Sequence, residues 1–87
     1  MDTLEGADAR TLMERFAQSC QTTLYASGSY VCVAEAVWKR YATGARTMPF
    51  YIRQSLRAHI ALAAADPEAF REITDQARKT PRPRDKA

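Results

Sequence analysis

Lys39, Arg40, Arg46, Arg53 and Arg57 are the only side chains charged at pH 7 between residues 36 and 65, so this window carries five cations and no carboxylate. Cations at that density suit a polyanion. Guanidinium forks pair with phosphate oxygens or guanine edges, and ammonium groups act as point charges toward phosphate. Arg46, Arg53 and Arg57 are therefore the candidates for base contact, and Lys39 and Arg40 the candidates for phosphate contact. Phe50 and Tyr51 stand next to one another in the same window. Consecutive residues on a helix cannot both face a core, so one of the two is expected at the surface as an anchor for a partner.

Other chemistry is sparse. His59 is the single histidine, and Cys20 and Cys32 lie twelve residues apart, unlike the paired spacing of a zinc site. The two cysteines read as small buried hydrophobes in a reducing compartment, or as a disulfide between neighbouring helices if the protein is exported. His59 falls on an apolar stripe and reads as a packed side chain, with a general base or a ligand as the other reading. There is no glycine-rich phosphate loop and no serine in a nucleophile elbow. We expect no enzyme, no cofactor and no metal.

The net charge of +3 over 87 residues conceals alternating blocks. Residues 1–35 hold five acids against Arg10 and Arg15, and residues 66–77 hold four acids against Arg71. The end of the chain, TPRPRDKA from Thr80, is basic again and alternates proline with arginine. Such segregation bears on partners rather than fold.

The positioning elements are helices. Asp8 is a plausible N-cap, and Leu12, Met13, Phe16 and Cys20 then recur at three- and four-residue spacing toward about Tyr25. Gly28 reads as a helix-ending residue and Ser29 as the next cap, opening a second helix from about Tyr30 to Thr43. Val31, Val33 and Val37 argue for a strand there, but the spacing of Trp38 and Tyr41 favours a helix. Gly44 ends it, Thr47 caps the third helix with Pro49 in its first turn, and Ile52, Leu56, His59, Ile60 and Ala63 form its stripe to about Ala65. Asp66-Pro67-Glu68 caps a short fourth helix to about Lys79, with Phe70, Ile73 and Ala77 as its strip. The fold class is thus all-α: a small bundle of three longer helices and a short fourth over residues 1–79, then a disordered basic tail over 80–87.

Arg46-Thr47, Tyr51-Ile52-Arg53, Ser55-Leu56-Arg57 and His59-Ile60 resemble the second helix of the ribbon-helix-helix DNA-binding proteins. The resemblance covers about 18 residues and implies a dimeric DNA-binding fold, the alternative to a plain bundle. That family also needs a strand before a preceding helix, and the corresponding slot, CQTTLYASGS from Cys20 to Ser29, lacks the basic and polar alternation of a groove-reading strand. No strand residue carries over as a base contact.

These features together predict a small, non-enzymatic, cytoplasmic regulator that binds DNA as a homodimer through the basic face of the third helix. The competing expectation is a protein-binding adaptor or inhibitor, of the kind carried by phages and mobile elements, that sets Phe50, Tyr51 and the arginines against an acidic partner. No basic leader and no apolar run near 20 residues suggests export or a membrane.

Overall fold

Leu12, Met13, Phe16 and Ala17 fall on one face at helical spacing, and all four are buried in the helix that they specify, Ala9–Cys20 (α1). The computed structural model of the chain describes residues 9–83. The expected cap at Asp8 and the irregular segment 1–7 lie outside those residues. α1 stops at Cys20, short of the expected Tyr25. Gln21 takes up a left-handed φ of 58°, its N–H donating to Gln18 O at 3.1 Å while Thr22 N–H donates to Ala17 O at 3.1 Å. This is the paired bonding that closes a helix, here without the usual glycine. Thr22 and Thr23 are poor helix formers. Thr23 serves the next turn instead, its hydroxyl and its carbonyl accepting the N–H groups of Ala26 and Ser27.

The helix expected over residues 30–43 divides into a 3-10 helix, Ala26–Val31, and a nine-residue α-helix, Glu35–Thr43 (α2). Gly28 is the reason. It does not end a helix and Ser29 does not cap one. A Cβ at Gly28 would lie 2.7 Å from Trp38 Cγ, so only a residue without a side chain lets the backbone come this close. Trp38 holds that approach by donating its Nε1–H to Leu24 O at 2.9 Å. The chain then turns at Cys32, left-handed at φ 58°, with its N–H and that of Val33 both bonded to Gly28 O. Residues 32–34 form neither the strand nor the helix that their valines left open.

Gly44, at φ 83°, ends α2 as expected. The next helix, Phe50–Ala65 (α3), begins later than Thr47, and no side chain caps it. Pro49 occupies the cap position, its carbonyl accepting the N–H groups of Ile52 and Arg53 at 3.1 and 3.2 Å. A residue before proline is steered out of the helical region, and here that residue, Met48, is buried in the core. An apolar anchor followed by proline sets the start of α3, in place of a hydroxyl. The last helix, Pro67–Lys79 (α4), starts as the sequence indicates. Asp66 accepts the Ala69 N–H at 3.1 Å and Pro67 takes the first position. At thirteen residues α4 is longer than α2, so the short helix is the second rather than the fourth. Its inner face is Phe70 and Thr74, not Ile73, which is 46% exposed. Thr74 is tolerated inside because its hydroxyl donates to Phe70 O at 2.9 Å.

The described residues are helical and contain no strand, so the chain is an all-α bundle. α1 is its centre, with α2, α3 and the 3-10 helix packed on it, while α4 lies against α3 and the 3-10 helix. The core is largely aromatic. Phe16 meets Trp38, His59 and Phe70 edge-to-face, with ring centres 6.4, 5.6 and 6.3 Å apart. α2 and α3 pack mainly on α1 rather than on one another, which leaves the elbow between them open on both sides. Of the basic tail, residues 80–83 run across the link between the 3-10 helix and α2, where Arg82 Nε donates to Val33 O at 2.6 Å. Residues 84–87 lie outside the described part.

Candidate nucleic-acid interface

The elbow from Gly44 to Met48 is where the cations gather. Its positive-φ turn reverses the chain, the Arg46 N–H ties back to Arg40 O at 3.2 Å, and buried Met48 pins the far side. On one side of it Arg46 and Arg53 line a hollow together with Arg10, which reaches over from α1. Arg10 is held by Glu14 at 3.2 Å and by Ala42 O at 3.5 Å. Arg53 is half-buried, and its Nε is a buried donor without an acceptor.

The structure thus brings together Arg46 and Arg53 of the expected set. Arg57 lies one turn further along α3, bonded to Gln54 Oε1 at 2.8 Å. Lys39 is exposed and Arg40 half-buried on α2, and neither lines the hollow. Arg10 was not among the sequence candidates, because it sits in the acid-rich first third of the chain and only the fold carries it to the elbow.

Phe50 and Tyr51 are 66% and 71% exposed. Both, rather than only the expected one, lie at the surface, because Met48 and Ile52, on either side of the pair, supply the inward contacts. The two rings point apart. Phe50 shares the α3 flank of Arg53 and Arg57, at the three- and seven-residue spacing of one face. Tyr51 lines the opposite side of the elbow with Arg46. Tyr41, buried beneath, touches both sides. Burial raises its hydroxyl above the usual range; Arg46 opposes that shift and Tyr51 adds to it.

The remaining chemical candidates lie away from the elbow hollow. His59 is wedged among Phe16 and Phe70, with Nδ1 at 2.6 Å from Ser55 O in its own helix, which assigns the proton to that nitrogen. Cys20 and Cys32 carry free thiols and are half-buried rather than fully buried. Burial pushes the Cys20 thiol up to about 12, against an opposing pull from Arg78. Among the described residues no group of His, Cys, Asp and Glu has the geometry to hold a metal ion, and no helix is long and apolar enough to cross a membrane.

No family model, no characterised protein and no solved structure matches the chain. In the segment corresponding to the ribbon of a ribbon-helix-helix protein, Cys20–Ser29, the chain forms the end of α1, a turn and the start of the 3-10 helix.

Proposed function

We propose that this chain is a small, non-enzymatic regulatory protein that binds DNA as a dimer through the basic face at the elbow between α2 and α3. The observation that carries the reading is the convergence of Arg10, Arg46 and Arg53, from three separate elements, on one hollow, the latter two from a stretch of chain without acids. The start of α3 adds to it. The first amides of a helix lack acceptors within it; here Pro49 O takes those of Ile52 and Arg53, and no side chain caps the ones before them. Lys39, Arg40 and Arg57 then supply sequence-independent phosphate attraction around the hollow. The ribbon-helix-helix likeness supports the same assignment through α3 alone, since its arginines lie on the matching helix.

The test is a titration of fluorescent duplex, at low and at near-physiological salt, with the parent and with the double variant Arg53→Ala, Arg57→Ala. Selective retention of one duplex at the higher salt is expected for the parent. The variant should keep its helicity and lose roughly tenfold or more in affinity, as removing two phosphate or base contacts does. Equal binding by both proteins would move the interface elsewhere. The exposure of Phe50 and Tyr51 favours a second reading, a protein partner at the same elbow, in keeping with the aromatic anchors of protein interfaces.

A further inference from the structure

Phe50 and Tyr51 are the first two residues of α3, and both rings stand in solvent at the elbow. They do not form one patch. Phe50 shares the α3 flank of Arg53 and Arg57, whereas Tyr51 lines the other side of the elbow. Anchors of a protein interface cluster at its centre, and rings that point to opposite sides of a corner cannot. A stacked base asks for less, since it covers one ring at a time.

The backbone at the same two residues fits a nucleotide as well. Their N–H groups precede the pair taken by Pro49 O, and no side chain caps them. Amides at a helix start attract phosphate. The surface for a base and the donors for its phosphate therefore belong to the same residues, inside a window that holds five cations and no carboxylate.

The state of the DNA follows from what a phenyl ring can touch. In an intact duplex each base face is covered by its neighbours, and only edges reach the grooves. Beyond contact with a thymine methyl, Phe50 has nothing to offer an edge. It can cover a face once that face is uncovered.

We infer that the elbow takes DNA with unpaired bases, stacking them on Phe50 and Tyr51 while the start of α3 and the surrounding cations hold the backbone. This narrows the DNA-binding reading, on which it rests, to single-stranded or locally opened sites. No new demand falls on the arginines, which act through charge alone.

The test sets an intact duplex against the same duplex with a central bubble of unpaired bases, at near-physiological salt. The parent should bind the bubbled form about tenfold more tightly or better, the gain from stacking a base or two on aromatic rings. Phe50→Ser, Tyr51→Ser should bind both forms equally, with its helices intact by circular dichroism. Phe50→Trp should keep the preference. The bubbled form should also quench the exposed indole emission of that variant, which the buried Trp38 does not give. Equal affinity of the parent for both forms would overturn the inference and leave the DNA-binding reading standing. A preference that survives the loss of both rings would overturn it too, and would leave Phe50 and Tyr51 to a protein partner. Binding of neither form would remove both readings together.

Discussion

Two sets of rings divide this small chain. Phe16, Trp38, Tyr41 and Phe70 are drawn together beneath α1, whereas Phe50 and Tyr51, of the same residue types, are left outside at the elbow. Hydrophobicity does not separate the sets. Their neighbours do. Trp38 has a carbonyl, Leu24 O, for its indole N–H and a glycine that yields room for its ring. Phe50 and Tyr51 follow a proline that has already spent the inward direction on Met48. Rings with a prepared seat hold the fold together, and rings without one remain available to something else.

The sharpest way to break this contrast is Trp38→Ala. Emptying a fully buried indole should cost about 3–5 kcal/mol, out of the roughly 5–15 kcal/mol that a domain has. We expect thermal unfolding followed by circular dichroism to lose its cooperative transition near room temperature. A melting curve close to that of the parent would mean that the core is organised elsewhere. Gly28→Ala attacks the seat rather than the ring, since the new methyl meets Trp38 at 2.7 Å. About 1–3 kcal/mol should be lost by overpacking, read as a lower urea midpoint with the slope unchanged.

Alkaline pH gives a smaller effect on the same side. The Cys20 thiol ionises only near 12 in the folded chain, against an ordinary value near 9. Between those values the unfolded chain has released a proton that the folded chain retains. Stability should therefore fall as pH rises above about 9, and Cys20→Ala should flatten that decline. Below pH 9 the two proteins should show the same pH dependence. At the exposed end of the scale, the double change Phe50→Ser, Tyr51→Ser should shift stability by no more than about 0.5 kcal/mol. A larger loss in urea titration would show that these rings support the fold after all.

What could be read from the sequence is what local chemistry decides. Asp66-Pro67 opens α4, Gly44 closes α2 and the spacing of Leu12, Met13 and Phe16 defines α1, each through groups a few residues apart. What could not be read depends on contacts across the chain. Gly28 resembles a helix end until Trp38, ten positions on, is seen pressed against it. Thr47 resembles a cap until Met48 is seen in the core. At the site, the charge window pointed to Arg46 and Arg53, but Arg10 was hidden in an acidic block, and Arg82 in a proline-rich tail expected to be disordered. Residues recruited from distant segments leave no local pattern.

Trp38, the only tryptophan in the chain, also makes the protein its own optical reporter. Its indole touches Phe16 of α1, bonds to Leu24 O, and lies with Gly28 close to the Arg82 guanidinium. A single emission band, blue-shifted while the ring is dry, therefore registers both the closing of the bundle and the seating of residues 80–83. Both events can be timed without attaching a dye.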